Sequence, residues 1–253
     1  MPAERRRLIL EMLREHGSVT VDQLQKRFGV SLMTARRDLT MLSNGGYLRR
    51  THGGAVGAES LAGAQWFRSH LEQHVAAKLR LAQAVTATVT ARETVFLDSS
   101  SSSYYIAHEL LGRTFRTTLI TNSLAVIRLV DDAQPAHLEL VGLGGEFNRH
   151  TWSFVGAQTV RAIQALSADR VIFSVSGLAP DGSLTDPDPV EATVKRAMIG
   201  HARTIVLVAA ENFTNRGPNI IVPAAAVDMA YLAEPPRGGA ERLESLGVRI
   251  MQV

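Results

Sequence analysis

The stretch S-L-M-T-A-R-R, Ser31–Arg37, decides the fold of the N-terminal part of this chain. Its first residue is a good helix N-cap, and the apolar residues behind it recur at the spacing of one buried helix face: Leu32, Ala35, Leu39 and Leu42. Three polar residues point away from that face: Thr34, Arg36 and Arg37. Because hydroxyls and helix N-termini suit phosphate and arginine binds guanine bidentately, this outer face suits the major groove of DNA. An arginine pair alone is more often a solvent-exposed helix face, so the surrounding sequence must decide.

The sequence on either side predicts a winged helix-turn-helix. Residues 4–16 form an amphipathic helix ended by Gly17, and Thr20 with Gln23 forms a capping box that opens a short helix through residue 28. Gly29 supplies the turn. The run Asn44-Gly45-Gly46 favours a hairpin, and the strand at residues 47–50 gives a basic wing that closes at residues 51–54. We therefore predict that double-stranded operator DNA is contacted by Ser31, Thr34, Arg36, Arg37, Arg49, Arg50 and His52.

The charge distribution supports this division of the chain. Residues 1–53 carry ten Lys/Arg against five Asp/Glu, a net charge of +5, whereas residues 54–253 carry seventeen against nineteen, a net charge of −2. A polyanionic partner is therefore expected only for the N-terminal segment. The chain has no cysteine, which excludes disulfides and thiolate metal sites. Because there is no signal peptide and no apolar stretch near the roughly 20 residues that span a bilayer, we expect a cytoplasmic protein that binds no membrane.

The remainder of the 253-residue chain alternates strand and helix patterns. The Gly/Ala-rich residues 54–65 predict a linker, and one long helix is predicted over residues 66–90. Apolar strands are predicted at residues 95–98, 118–121, 138–142, 170–175, 204–209, 229–232 and 248–251, with helices at 104–111, 123–130, 158–166, 189–202 and 237–246. This alternation indicates an α/β fold with a Rossmann-like parallel sheet. We divide the chain into a winged helix-turn-helix domain (1–57), a linker with the start of the connecting helix (58–74) and an effector-sensing domain (75–253).

Parallel sheets of this kind bind ligands beyond the carboxyl ends of their strands. There the sequence places Asp98, Ser99, Ser100, Ser101, Ser102, Ser103, Asn122, Ser123, Gly144, Gly145 and Glu146. The serines precede a helix and suit an anion such as phosphate, and the alternative is a flexible loop. The Asn-Ser pair is equally well explained as a helix cap, and the Gly pair as a simple turn.

Several motifs resemble those of the DeoR family of bacterial transcriptional regulators. In the first part they are R-R-R-L-I-L-E-M-L, S-L-M-T-A-R-R-D-L and L-R-R-T-H-G-G-A; later come F-L-D-S-S-S-S-S, L-I-T-N-S-L, G-G-E-F, S-F-V-G-A and E-A-T-V-K-R-A-M-I. The resemblance spans residues 4–232. It implies a sensor domain similar to ribose-5-phosphate isomerase that binds a sugar or phosphorylated sugar. Carried over by position, it implies that the strand-end residues just named line the effector pocket, joined by Lys195 and Asn212.

The chain departs from the family at two places. Family members usually carry an Asp and a Lys where this chain has Ala209 and Asn212, and the serine loop lacks the usual glycine. A lysine would be a natural charge partner for phosphate, so the effector is either less anionic than usual or is held by Arg149 or Arg216. Lys195 itself is equally well explained as a surface ion pair on a helix.

The resemblance implies a repressor of a carbohydrate-metabolism operon. Because operators are usually paired half-sites, we expect a homodimer or homotetramer. One alternative is a sugar-phosphate isomerase-like enzyme with a DNA-binding appendage, in which Asp98, Glu146 and Glu191 act as acid and base; another is a sensor that only oligomerises. We expect no catalytic residues and no cofactor. We also expect no metal site, because His70 and His74 share an i,i+4 helix face but have no third ligand nearby in the sequence.

Overall fold

The computed structural model describes residues 2–16, 18–44, 48–51, 53–57, 67–210, 213 and 217–253. The chain forms two compact units, Met1–Trp66 and Phe67–Val253. Within the described ranges, no helix combines the length and the apolar character needed to cross a membrane.

The N-terminal unit contains three helices and a three-stranded antiparallel sheet. The helices are α1 (Pro2–His16), α2 (Val21–Phe28) and α3 (Leu32–Asn44), and the strands are β1 (Ser18–Thr20), β2 (Leu48–Thr51) and β3 (Gly54–Gly57). Strand β3 lies between β1 and β2. Residues 54–57, predicted as part of the linker, are therefore the central strand of the wing. Strand β3 requires glycine at its first position, because a Cβ on Gly54 would lie 2.0 Å from the carbonyl oxygen of Val19.

Local sequence signals fix α2, as predicted. The backbone N–H of Thr20 donates to Gln23 Oε1 at 2.7 Å, and the N–H of Gln23 donates to Thr20 Oγ1 at 3.2 Å, which completes the capping box. Gly29 ends the helix at φ 61°, a left-handed conformation that favours glycine. Thr20 and Gln23 thus fix the start of α2, and Gly29 fixes the turn between α2 and α3.

The predicted apolar face of α3 is largely correct. Ala35, Leu39 and Leu42 are buried, but Leu32 is 43% exposed, so its assignment to the core is wrong. The buried face is rotated towards Asp38, which is 4% exposed and accepts a hydrogen bond from Arg5 Nε at 2.6 Å. Leu32, in the first helical turn, is left at the edge of that face.

The C-terminal unit has the predicted α/β architecture. In chain order the elements are α4 (Val75–Thr86), β4 (Thr94–Leu97), α5 (Ser101–Leu110), β5 (Thr117–Thr121), α6 (Leu124–Ala133), β6 (Leu138–Gly142), β7 (Glu146–Asn148), β8 (Ser153–Val155), α7 (Ala157–Gln164), β9 (Ala168–Ser174), β10 (Gly177–Leu178), β11 (Ser183–Asp186), α8 (Pro189–Gly200), β12 (Ala202–Ala209), β13 (Asn219–Pro223), β14 (Met229–Leu232), α9 (Gly239–Ser245) and β15 (Arg249–Gln252).

Seven strands form one parallel sheet in the order β15-β14-β12-β9-β4-β5-β6. The strands alternate buried side chains between two apolar layers: Phe96 and Phe173 belong to one, and Leu97 and Ile172 to the other. The chain runs from β4 to β5 and β6 on one side, and the later strands extend the sheet on the other. Strands β4 and β9 therefore flank the topological switch point, the position where sheets of this class bind ligands.

The predicted helix over residues 66–90 is interrupted. Residues 67–72 are helical, His74 adopts φ 51°, and α4 begins only at Val75. His70 and His74 therefore do not share one helix face, contrary to prediction. Helix α4 also ends early, at Thr86, whose hydroxyl donates to the carbonyl of Ala82 at 2.8 Å, in a sequence rich in β-branched residues that disfavour helix.

Two small sheets were not predicted. Strands β7 and β8 pair as a hairpin, and β10, β11 and β13 form a three-stranded antiparallel sheet. Strands β7, β8, β10 and β11 contain at most two apolar residues each, which is too few to mark a buried strand.

Candidate functional site

The outer face of α3 presents two available guanidinium groups. Ser31 caps the helix by accepting a hydrogen bond from the N–H of Thr34 at 3.2 Å, and the two hydroxyls lie 3.0 Å apart. The side chains of Arg36 and Arg37 are exposed. Within the part of the chain that the structure describes, neither guanidinium has a hydrogen-bond or ion-pair partner. The face thus offers positive charge beside a hydroxyl-capped helix N-terminus.

Arg50 in the wing has a different environment. Its Nη1 donates to the carbonyl oxygen of Arg36 at 3.1 Å and to Thr40 Oγ1 at 3.0 Å. This contact attaches strand β2 to α3, so Arg50 orients the wing. A direct contact of Arg50 with DNA stays a prediction. The side chain of Arg49 and all of His52 lie outside the described residues.

Asp98 follows β4 at the switch point and is 1% exposed. Its Oδ1 accepts hydrogen bonds from Ser100 N (3.1 Å), Ser100 Oγ (2.7 Å) and Ser103 Oγ (2.5 Å). Its Oδ2 accepts one from the N–H of Ser174 at 2.9 Å and lies 3.5 Å from Lys195 Nζ. A carboxylate has about four acceptor positions, so these contacts occupy Asp98 fully. It holds the serine segment against β9.

The serine run begins a helix and is not a flexible loop. Ser100 is the N-cap of α5 and accepts a hydrogen bond from the N–H of Ser103 at 3.1 Å. Ser102 and Ser103 are buried within the first turns, and Ser99 donates to Glu191 Oε2 at 2.9 Å. The hydroxyls of Ser99, Ser100 and Ser103 are thus engaged by carboxylates of the protein itself.

Lys195 is buried, which contradicts the surface ion pair considered for it. The residue is 6% exposed, and its Nζ donates to Asp186 Oδ2 at 2.8 Å and to the carbonyl of Ser174 at 2.9 Å. Burial alone would lower the pKa of Lys195, but the charges of Asp186 and Asp98 outweigh it and raise that pKa. The ammonium group therefore joins two carboxylates beneath the switch point. Asp186 was not predicted, because it ends a short strand of the small sheet.

Glu191 lies one turn before Lys195 on α8 and is 3% exposed. Its Oε1 accepts hydrogen bonds from Thr151 Oγ1 at 2.6 Å and from Ser153 Oγ. Burial raises the pKa of Glu191, against the opposing effect of these hydroxyls and of Lys195. From the sequence, Glu191 is predicted only as an acid or base of the isomerase alternative and as the i,i+4 partner of Lys195 in a surface ion pair; its burial contradicts the surface pair. We call Asp98, Asp186, Glu191 and Lys195 the buried charge cluster.

Asn122 and Ser123 connect the end of β5 to β8. Ser123 caps α6 by accepting a hydrogen bond from the N–H of Val126 at 3.3 Å, which agrees with the helix-cap alternative for this pair. The Asn122 side-chain amide donates to the carbonyl of Phe154 at 3.0 Å, while its buried Oδ1 has no hydrogen-bond partner among the residues that the structure describes. Buried polar atoms are normally satisfied, so this acceptor is available to a ligand hydroxyl or a water.

The remaining predicted pocket residues stand apart from the buried charge cluster. Glu146 is exposed, and its Oε1 would lie 2.9 Å from a Cβ built on Gly156. None of the hydrogen bonds that the described residues give to the cluster involves Gly144, Gly145 or Glu146. Arg149 is exposed, and Asn212 and Arg216 lie outside the described residues.

The turn between β7 and β8 links the cluster to the first helical residues of this unit. Trp152, at φ 54°, stacks on Phe67 with ring centroids 6.4 Å apart and planes 8° apart. The guanidinium carbon of Arg68 lies 5.8 Å from the Trp152 ring centroid. The neighbours of Trp152 in sequence are Thr151 and Ser153, which both donate to Glu191 Oε1. The contacts of Glu191 on this turn are therefore one residue along the chain from the stack on Phe67.

Comparison with known proteins matches both units to one family. A model of the DeoR-like helix-turn-helix domain matches residues 5–60, and a model of the DeoR C terminal sensor domain matches residues 73–231. The HTH-type transcriptional repressor CsqR of Escherichia coli is 28% identical over 96% of this chain and 92% of its own length. The glycerol-3-phosphate regulon repressor of Escherichia coli is 29% identical over 90% and 89%, respectively. Among solved structures, ribose 5-phosphate isomerase from Methanocaldococcus jannaschii aligns with 54% of this chain and 52% of its own at 14% identity and a TM-score of 0.40.

Proposed function

The chain belongs to the DeoR family of transcriptional regulators, and we propose that it represses a carbohydrate-metabolism operon until a sugar or phosphorylated sugar binds its C-terminal unit. The observation that carries the proposal is the pair of exposed guanidinium groups on the outer face of α3, Arg36 and Arg37, which have no partner among the described residues. Such a pair at the start of a recognition helix binds guanine edges and phosphate. The protein acts on DNA in the cytoplasm, as a homodimer or homotetramer on paired half-sites.

The effector binds at the switch point, over the buried charge cluster. The Oδ1 of Asn122, which has no partner within the described part of the chain, and the hydroxyls around Glu191 offer hydrogen bonds to a polyol. A second support is the glycerol-3-phosphate regulon repressor, whose name associates this family with a phosphorylated polyol. In this chain the cluster contains three carboxylates and one ammonium group, so a phosphate group of the effector points away from it.

Effector binding acts on DNA affinity through the β7–β8 turn. A ligand that takes hydroxyl donors from Glu191 shifts Thr151 and Ser153, and with them the Trp152 stack on Phe67. Residues 67–72 begin the C-terminal unit and follow the segment that leads from the DNA-binding unit. The effector thus selects between two arrangements with different DNA affinity.

We also infer that the C-terminal unit does not turn over its ligand. Asp98 and Lys195 are occupied by contacts with each other and with neighbouring backbone, so neither is positioned to move a substrate proton. This disfavours the isomerase alternative. Release of product from pentose or hexose phosphates by the purified protein would contradict the inference that this unit does not turn over its ligand.

Selection of DNA duplexes tests the proposed function. Purified full-length protein is mixed with fragments of its source genome, and bound fragments are sequenced. We expect fragments with two related half-sites, and their release on addition of one member of a panel of sugars and sugar phosphates that includes sn-glycerol 3-phosphate. The Arg36→Ala, Arg37→Ala double variant is the control, and enrichment of the same fragments by it would contradict the assignment of α3 to DNA.

A further inference from the structure

Met33 has the largest exposed fraction among the large apolar side chains that the structure describes, 77%. A single exposed apolar residue on a protein surface is ordinary, so exposure alone carries no function. The position of Met33 is informative, because it lies in the first turn of α3, two residues after the N-cap Ser31.

Met33 shares the outer face of α3 with both exposed arginines, Arg36 and Arg37. Residues three and four apart on a helix are neighbours, which places Met33 beside Arg36 and Arg37. Side chains in helices lean towards the N-terminus, so Met33 extends this face beyond the arginines towards the start of α3. The N-terminal residues of a recognition helix are the ones that contact base edges.

Side chains of the protein itself contact the other end of the same face. Arg50 donates to the carbonyl of Arg36 and to Thr40, and Arg6 Nη1 donates to Met41 Sδ at 3.2 Å. Met41 is 50% exposed and is thus a second methionine on this helix with a polar neighbour from its own unit. Met33, 77% exposed, is thus the more accessible of the two methionines.

We propose that Met33 is a specificity-determining residue that contacts the 5-methyl group of a thymine next to a guanine bound by Arg36 or Arg37. The thioether side chain has no donor and only a weakly accepting sulfur, so it is a poor partner for the polar edges of guanine, cytosine and adenine, whereas thymine alone presents a methyl group in the major groove. A flexible, unbranched side chain can follow this group with little strain. The inference rests on the proposed DNA-binding function and adds that Met33 recognises a thymine.

The test selects random duplexes with full-length wild type, Met33→Ala and Met41→Ala, the last as a matched methionine control. We expect a wild-type half-site with a thymine beside an invariant guanine. Replacing that thymine by deoxyuridine, which lacks only the methyl group, should weaken wild-type binding about fourfold, as expected for one buried methyl group. Met33→Ala should bind the two duplexes equally, and Met41→Ala should discriminate like wild type.

The outcomes separate the two levels of inference. A half-site without such a thymine, or equal deoxyuridine discrimination by wild type and Met33→Ala, overturns the role of Met33 and leaves DNA binding intact. If no duplex is enriched by wild type, the proposed function fails and this inference fails with it. Because Met33 is largely exposed, Met33→Ala should unfold at the wild-type temperature, which excludes misfolding as the cause of lost discrimination.

Discussion

Lys195 illustrates how burial determines the contribution of one ion pair. Its ammonium group lies 2.8 Å from Asp186 and 3.5 Å from Asp98, and its side chain is 7% exposed. Removing one partner of a buried pair leaves charge uncompensated, so Lys195→Met should lower the free energy of unfolding by about 3–5 kcal/mol. Urea denaturation at neutral pH measures this loss.

The matched control for Lys195 is Arg203. Arg203 lies 3.6 Å from Asp169 but is 86% exposed, and solvent screening leaves such a pair worth about 0–1 kcal/mol. Arg203→Met should therefore change the free energy of unfolding by no more than that. Equal losses for the two variants would contradict the buried arrangement and restore the surface ion pair for Lys195.

Glu191 should make the stability depend on pH. Burial raises its pKa in the folded state above the value in the unfolded chain, so the folded protein binds more protons. This contribution is fully present below the unfolded pKa of about 4.3 and is lost as pH rises through the folded pKa. Glu191→Gln removes the charge, so its free energy of unfolding relative to wild type should rise from pH 4 to pH 8.

Chemical denaturation at several pH values measures this difference. Glu146→Gln is the control, because Glu146 is exposed and its substitution should give a curve parallel to that of wild type. A constant difference between wild type and Glu191→Gln at every pH would show that burial of this carboxyl is not coupled to its protonation.

The sequence predicted which residues reach the switch point better than what they contact there. Asp98 and Lys195 were both named, because one follows an apolar strand and the other matches a motif position. The contact between Asp98 and Lys195 was not predicted. Nor was Asp186, on the short strand β11, which binds the same ammonium group. Long-range partners of this kind have no local pattern in one sequence.

At the scale of elements, the turn between β6 and β7 requires glycine at one position only. A Cβ on Gly145 would lie 2.1 Å from Thr159 Oγ1, and Gly145 has φ 155°, whereas a Cβ on Gly144 would meet nothing within 4 Å. Thr159 cannot move freely, because its hydroxyl bonds the carbonyls of Gly144 and Val155 at 2.9 Å each.

Alanine at the two positions should therefore differ in effect. Gly145→Ala should destabilise the protein by about 1–3 kcal/mol through overpacking. Gly144→Ala should stay within about 0.5 kcal/mol of wild type. Thermal unfolding of both variants measures the difference, and similar losses would show that the turn tolerates rearrangement around Thr159.

Elements marked by a continuous apolar run were predicted, and elements defined by a single residue were not. All seven strands of the parallel sheet lie within two residues of their predicted bounds, because buried strands are continuous apolar runs. The helix over residues 66–90 was too long because nothing in the local composition marks the left-handed conformation of His74. Strand β3 was missed because its Gly-Ala composition is typical of linkers, whereas here glycine permits close packing against β1.

At the scale of the molecule, each of the two units builds its own core. The buried apolar cluster of the first unit runs from Ile9 to Ala55, and the two clusters of the second contain only residues from Ala77 onward. A fragment of residues 67–253 therefore keeps both apolar layers of its sheet and should unfold cooperatively. It should bind no DNA, because Arg36 and Arg37 are absent from it.

Tryptophan fluorescence during urea unfolding tests this independence. The fragment contains Trp152 as its only tryptophan, and Trp66→Phe gives the full-length chain the same single probe. Because Trp152 packs on Phe67 within the second unit, its transition should have the same midpoint in both proteins. A lower midpoint or a broad, non-cooperative transition in the fragment would show that the DNA-binding unit stabilises the sensor. Coincident midpoints would mean that effector binding cannot control DNA affinity through a shared core, so the control would have to pass through residues 67–72 or through assembly of protomers.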